Sequence, residues 1–105
     1  MSLFENVTVT REANVYFDGR VSSRTIEFAD GSRKTLGFMQ VGTYSFDTGV
    51  AEVMEVLGGS AMVQLPGSDA WTVYEEGMRF EVPAEATFAL KVDTFMDYCC
   101  SYLDA

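Results

Sequence analysis

The sequence contains no histidine among its 105 residues, only seven lysines and arginines, two cysteines and two prolines. The absence of histidine removes the commonest general acid and base of proteins, and also the commonest metal ligand. The scarcity of basic residues leaves a net charge of -9 at pH 7. Such a charge argues against binding to a nucleic-acid backbone, which requires clustered Lys and Arg, and against binding to an anionic membrane surface.

The two cysteines are adjacent in the chain, at Cys99 and Cys100. Neighbours on a strand point to opposite faces, so this pair does not readily form a disulfide. Two cysteines alone are also too few for a zinc site. The sequence lacks a signal peptide and a long apolar run, so we expect a cytoplasmic protein with free thiols, one of them in the core.

The length suits one domain with a modest core, and we assign residues 1–105 to a single domain. Apolar residues make up 48% of the chain, which predicts a folded protein. Short alternating segments between turn residues predict about ten strands and an all-β barrel or sandwich. The pair Asp30-Gly31 predicts a hairpin between residues 21–28 and 33–41, and Gly58-Gly59 predicts a second between 53–57 and 61–65.

Two glycine-marked segments, residues 42–59 and 77–88, have the spacing of the two motifs of the cupin family and resemble them. The resemblance implies a single cupin domain, a jelly-roll-like β-barrel or sandwich. Most cupins hold a metal on three histidines, whose positions are occupied here by Thr48, Val50 and Phe88. Since Glu52 alone cannot replace three imidazoles, we expect no catalytic metal.

Several segments that follow one another along nearly the whole chain carry a narrower resemblance: Asn14-Val-Tyr-Phe-Asp-Gly19, Arg33 before Leu36-Gly-Phe-Met39, Gly42-Thr-Tyr-Ser-Phe46, Trp71-Thr-Val-Tyr-Glu-Glu-Gly77, Phe80-Glu-Val-Pro83 and Tyr98-Cys-Cys-Ser-Tyr-Leu103. Together they are similar to the bacterial cupin-type pyrimidine/purine nucleoside phosphorylases. The resemblance implies a homodimeric, metal-independent pentosyltransferase without a cofactor. Its substrates would be inorganic phosphate and many nucleosides, and its products the free base and α-D-ribose 1-phosphate.

Phosphate binding requires arginine, hydroxyls and backbone N–H groups. Arg33 is the best candidate, because it begins a strand after a tight turn and lies in a segment shared with the family. Ser23 and Arg24, on the facing strand, are secondary candidates. The competing interpretation is that Arg33 ends a hairpin and faces solvent.

Nucleoside binding would fall to aromatic rings, on which a base stacks with little regard to its identity. Carboxylates and amides could bind the ribose hydroxyls or the base edge, although most carboxylates of an acidic chain only solubilise it. The candidates for these roles are Tyr44, Tyr74, Phe88, Tyr98, Gln64 and Glu52. For any one of the rings, packing in a small barrel is the competing interpretation.

Two other functions fit the same fold. A sugar epimerase or isomerase is the weaker one, because such enzymes generally use a histidine. A non-catalytic cupin that binds or senses a small ligand is the stronger alternative, since one fold hosts many functions. It predicts binding without turnover.

Overall fold

The computed structural model describes residues 2–103. Within this range the chain forms eight β-strands and one turn of 3-10 helix at Phe17–Gly19. The strands are β1 (Thr8–Val9), β2 (Asn14–Tyr16), β3 (Val21–Glu27), β4 (Arg33–Asp47), β5 (Ala51–Gln64), β6 (Thr72–Glu75), β7 (Arg79–Val82) and β8 (Thr87–Leu103). The prediction of an all-β protein is confirmed. No helix in the described range is long and apolar enough to cross a membrane.

The strands form one sheet in the order β1-β3-β4-β8-β5-β6, with β2 paired to β3 and β7 paired to β5. Every pairing is antiparallel, and the three long strands β4, β8 and β5 lie side by side in the centre. The described strands curl without closing into a full ring. Their concave side buries an apolar core that includes Tyr44, Met39, Leu90 and Met96.

The hairpin predicted at Asp30-Gly31 is confirmed, since β3 pairs with β4 from Val21 to Glu27. Gly31 has a φ of 89°, which favours glycine. The Asp30 carboxylate accepts hydrogen bonds from the N–H and hydroxyl of Ser32, at 2.9 and 2.6 Å. This turn places Arg33 at the first position of β4.

The second predicted hairpin, at Gly58-Gly59, is wrong. β5 runs through both glycines, and its register against β8 shifts between Val56 and Gly58 and again between Gly59 and Met62. A glycine pair is as typical of a bulge as of a turn, and a bulge bends a strand without reversing it. For the same reason the chain has fewer and longer strands than the predicted ten.

Both cysteines are free and buried, as predicted for the core cysteine. Cys100 belongs to the core cluster on the concave side. Cys99 points the other way, because adjacent strand residues face opposite sides. The buried thiols therefore belong to different environments.

We predict that Gly59→Ala lowers the free energy of unfolding considerably more than Gly67→Ala does. Both glycines have left-handed backbones, with φ of 72° and 75°. An added Cβ at Gly59 would collide with the carbonyl of Phe95 on β8, but at Gly67 it would meet nothing within 4 Å. Urea denaturation should show a loss of about 1–2 kcal/mol for Gly67→Ala and roughly 3 kcal/mol or more for Gly59→Ala. Equal losses would show that the Gly59–Phe95 contact is not a constraint.

Candidate functional site

The concave side of the sheet contains a cavity of about 340 Å³. This volume lies at the lower end of the range for small-molecule sites. Its wall comes mainly from β2, β3, β4, β5 and β8, because alternate residues of each strand point inward. Registered neighbours on these strands therefore form rows across the wall.

The outer row lies at one end of the long strands and carries charge. Glu52 on β5 is paired with Tyr102 on β8, and Arg33 on β4 places its guanidinium 4.1 Å from the centre of the Tyr102 ring. A cation over an aromatic face is attracted to the ring and held in orientation. Arg33, Tyr102 and Glu52 all line the cavity.

Glu52 is the half-buried carboxyl of this row. Burial raises the pKa of Glu52 above its usual value, an effect partly offset by a hydrogen bond from Cys100 and by the charge of Arg33. The Cys100 thiol donates to Glu52 Oε1 at 3.1 Å. Burial, followed by the Glu52 charge, raises the pKa of Cys100. The thiol therefore stays protonated and serves as a donor that orients the carboxyl.

The next row carries the hydroxyl of Thr35, which is buried and is not part of the cavity wall. Thr35 on β4 is paired with Cys100 on β8, and the Thr35 hydroxyl lies 3.2 Å from the hydroxyl of Tyr102. Burial raises the pKa of Tyr102, while the bond with Thr35 lowers it in part. The Tyr102 phenol is consequently neutral near pH 7 and available as a donor.

The third row contains Ser23 on β3, Gly37 on β4 and Tyr98 on β8. A side chain at Gly37 would collide with the ring of Tyr98, so the glycine lets this ring lie flat across β4. Burial raises the pKa of Tyr98, and a hydrogen bond with Ser23 lowers it in part. The Asn14 amide donates to Ser23 Oγ at 3.3 Å and fixes that hydroxyl.

The opposite side of the cavity is aromatic. Phe46 and Phe88 are paired across β4 and β8 and lie with ring centres 5.9 Å apart, stacked at 29°. Tyr16 from β2 meets Phe46 edge to face at 6.2 Å. The cavity thus has one side with Arg33, Glu52 and hydroxyls, and a second, mainly aromatic side that also carries Asp47.

Five of the nine residues predicted for the site line this cavity: Ser23, Arg33, Glu52, Phe88 and Tyr98. The structure places the other four elsewhere. Arg24 is exposed and its Nε donates to the carbonyl of Arg11 at 3.3 Å. Tyr44 is buried and its hydroxyl donates to the carbonyl of Gln40 at 2.7 Å.

The remaining two belong to other surroundings. The Tyr74 ring packs against Phe80 with ring centres 4.8 Å apart, outside the residues of the cavity wall. Gln64 lines a shallow groove beside the loop around Pro66 and Ser68. Neither side chain contributes to the cavity that contains Arg33.

Sequence reasoning missed several residues of the cavity wall. Tyr102 and Cys100 share one strand face with Tyr98, and this alternation is the signal that places all three on the cavity wall. Phe46 and Tyr16 lie in segments shared with the family, but no local pattern distinguished them from core aromatics. Asp47 is at the end of β4, where the Thr87 hydroxyl donates to its carboxylate at 2.6 Å.

The corner where most cupins hold a metal has a different construction here. The Thr48 hydroxyl donates to the carbonyl of Pro83 at 2.7 Å and accepts from the N–H of Ala86 at 3.0 Å. Phe88 is buried and apolar. Within residues 2–103 no three His, Cys, Asp or Glu side chains group together as metal ligands. The donor set does not fit a metal at this corner.

Known proteins resemble this chain over nearly its whole length. A protein from Syntrophotalea carbinolica named pyrimidine/purine nucleoside phosphorylase is 59% identical over 103 residues, which are 98% of this chain and 99% of the relative. The crystal structure of a protein of unknown function from Acinetobacter sp. ADP1 has a TM-score of 0.94 and 35% identity, covering 96% of this chain and 98% of that one.

An RmlC-like cupin from Shewanella frigidimarina is only 17% identical but has a TM-score of 0.71, covering 99% of this chain and 89% of that one. This likeness confirms the predicted cupin fold. Residues 11–102 match the family described as Pyrimidine/purine nucleoside phosphorylase, which confirms the resemblance seen in the sequence. The chain belongs to the pyrimidine/purine nucleoside phosphorylase family.

Proposed function

We propose that this protein is a nucleoside phosphorylase that splits purine and pyrimidine nucleosides with inorganic phosphate. The products are the free base and α-D-ribose 1-phosphate. The observation that carries the proposal is one cavity, in a chain of this family, that unites Arg33, Glu52 and neutral hydroxyls with an aromatic side. These are the groups that an anion, a ribose and a base require.

The reaction breaks the bond between C1′ and the base nitrogen, and the electron pair leaves with the base. A phosphate oxygen forms the new bond to C1′, and the base takes up a proton from phosphate or water. Because a β-nucleoside becomes an α-phosphate, phosphate must approach the ribose from the side opposite the base. The cavity supports this arrangement, since its charged side and its aromatic side come from opposite ends of β4 and β8.

We assign Arg33 to phosphate, together with the hydroxyls of Ser23 and Tyr98. An arginine forms two parallel hydrogen bonds to a phosphate, and phenols that stay protonated add donors without adding charge. Glu52 lies beside Arg33 and is assigned to the ribose hydroxyls, which donate hydrogen bonds to its carboxylate. Catalysis then rests on orientation and on placed donors and acceptors.

The protein's own residues suit this chemistry without a resident cofactor. At the metal corner of other cupins the Thr48 hydroxyl is engaged by backbone groups of the loop at 83–86. Inorganic phosphate is the co-substrate in this proposal. The net charge of -9 argues against nucleic acid or an anionic membrane as partners.

We also propose a cytoplasmic homodimer, as the family resemblance implies. The convex side of the sheet supports self-association, because Phe38 and Phe95 stack there with ring centres 5.6 Å apart while both are at least 40% exposed. Leu36 and Leu57 are also exposed. An apolar patch of this kind marks an interface, and light scattering of the purified protein measures the mass of the particle.

The proposal predicts that purified protein releases base from uridine and from inosine only when phosphate is present. Chromatography of the free base and of ribose 1-phosphate provides the measurement. Equal base release without phosphate would mean hydrolysis and contradict the proposal. Binding of both nucleosides without any release would instead favour the non-catalytic ligand-binding cupin.

Arg33→Ala should raise the KM for phosphate about tenfold or more, since hydrogen bonds to a charged group contribute roughly 1.5–3 kcal/mol. Arg33→Lys should recover part of the loss, because lysine keeps the charge but not the two-pronged geometry. Arg24→Ala is the matched control: it removes the same charge outside the cavity and should leave the KM for phosphate unchanged. An effect of Arg24→Ala as large as that of Arg33→Ala would remove Arg33 from its assigned role.

As the pH decreases, kcat/KM should begin to fall at a higher pH than it would if Glu52 had the pKa of an exposed glutamate. Only the ionised Glu52 accepts both ribose hydroxyls, and burial raises its pKa, so protonation begins earlier as the pH decreases. Glu52→Gln should lower kcat/KM and lose this acid limb. Phosphate itself titrates near neutrality, so the difference between the pH profiles of the two proteins is the quantity to measure. Profiles of identical shape would exclude Glu52 as the titrating group.

A further inference from the structure

We propose that Tyr16 is the platform on which the nucleobase stacks, an inference that rests on the proposed function. Tyr16 is the last residue of β2 and is 46% exposed, yet it lines the cavity. The family resemblance assigned this residue no role. Its position follows from the register, the surrounding aromatic contacts and the conformation of the turn that comes after it.

The register places Tyr16 on the concave side. Tyr16 is paired with Val21 on β3, and Asn14 is paired with Ser23. Val21 is fully buried, and Ser23 lines the cavity, so their partners face the same way. β2 pairs with β3 alone, which leaves Tyr16 at the edge of the wall, where a ligand can reach its ring.

The turn that follows Tyr16 is strained. Phe17 and Asp18 have φ of 52° and 56°, and Gly19 continues at 91°. Two consecutive non-glycine residues with left-handed backbones are unusual, and such strain persists only where the surrounding structure imposes it. Strained segments cluster at ligand sites for this reason.

The surrounding structure holds this turn firmly. The Phe17 ring packs on Tyr44 and Phe46, with ring centres 5.0 and 5.4 Å apart. The backbone N–H and the Nε of Arg20 both donate to the carbonyl of Phe17 at 3.1 Å. The N–H of Gln40 on β4 donates to the carbonyl of Arg20 at 2.9 Å. The turn therefore fixes the chain direction immediately after Tyr16.

These contacts give Tyr16 a fixed backbone and a ring that keeps solvent-accessible surface beside Phe46. Its position on the aromatic side of the cavity is where the base of a nucleoside lies when phosphate is bound at Arg33. Stacking on a ring requires only a flat π-face, which every purine and pyrimidine offers. A single tyrosine at this place therefore accounts for binding of both base classes.

The test compares Tyr16→Ala, Tyr16→Phe and Val15→Ala by steady-state kinetics with uridine and with inosine. Tyr16→Ala should raise the KM for both nucleosides about tenfold or more, the loss expected when a stacking ring is removed, while the KM for phosphate stays unchanged. Tyr16→Phe should stay close to the wild type. Val15→Ala is the matched control, because Val15 is exposed on the same strand and is absent from the cavity wall.

An unchanged KM for both nucleosides in Tyr16→Ala would overturn the inference, as would a Tyr16→Phe variant as weak as Tyr16→Ala. A parallel rise in the KM for phosphate would indicate a general structural role and would also overturn it. If the wild type shows no phosphorolysis, the proposed function fails, and calorimetric titration of uridine into the same proteins then decides the question. If uridine binds more weakly to Tyr16→Ala than to the wild type and the other two variants, the inference is supported. If all four proteins bind uridine equally, or none binds it, the inference is overturned.

Discussion

The site depends on the bending of three long antiparallel strands. β4 and β8 are paired over almost their whole lengths, from Lys34 with Ser101 to Asp47 with Thr87. A flat pair of this length would hold its two ends far apart, since a strand rises about 3.4 Å per residue. The register shift between Gln40 and Gly42, together with the bulges of β5 at Gly58 and Gly59, curls the sheet instead. One pair of strands can then supply both sides of a single cavity.

The curl also determines which residues meet. Arg33 and Tyr102 come from one end of β4 and β8, and Phe46 and Phe88 come from the other end. Between them the wall is lined by hydroxyls rather than by charges. Burial keeps the phenols of Tyr98 and Tyr102 protonated, so they donate hydrogen bonds and do not repel an anion. The concave face therefore changes from the Arg33 end, through neutral hydroxyls, to an aromatic end that also carries Asp47.

The sequence predicted the fold better than the site, for physical reasons. Turn chemistry predicted the hairpin at Asp30-Gly31, because a tight turn is a local property. The pair Gly58-Gly59 predicts a turn but forms a bulge, since glycine permits either, and only the pairing with β8 distinguishes them. No local pattern distinguishes Tyr16 and Tyr102, which line the cavity, from Tyr44 and Tyr74, which do not. Which tyrosine lines a cavity depends on the curvature of the sheet, a long-range property absent from any short segment.

The acidity of the chain poses a problem for an enzyme proposed to bind phosphate, and the cavity offers a solution. Charges spread over the surface are screened by salt over about 8–10 Å, so the net charge of -9 acts weakly on a ligand inside the cavity. The local charges decide instead, and there Arg33 is placed by the Tyr102 ring at 4.1 Å. Glu52 and Asp47 are the carboxylates of the cavity wall. Burial raises the pKa of Glu52 and so disfavours its charge. In the proposed arrangement the ribose hydroxyls donate hydrogen bonds to the Glu52 carboxylate, and the Cys100 thiol donates to Glu52 Oε1. These donors stabilise the charge of Glu52, while phosphate binds on the side of Arg33.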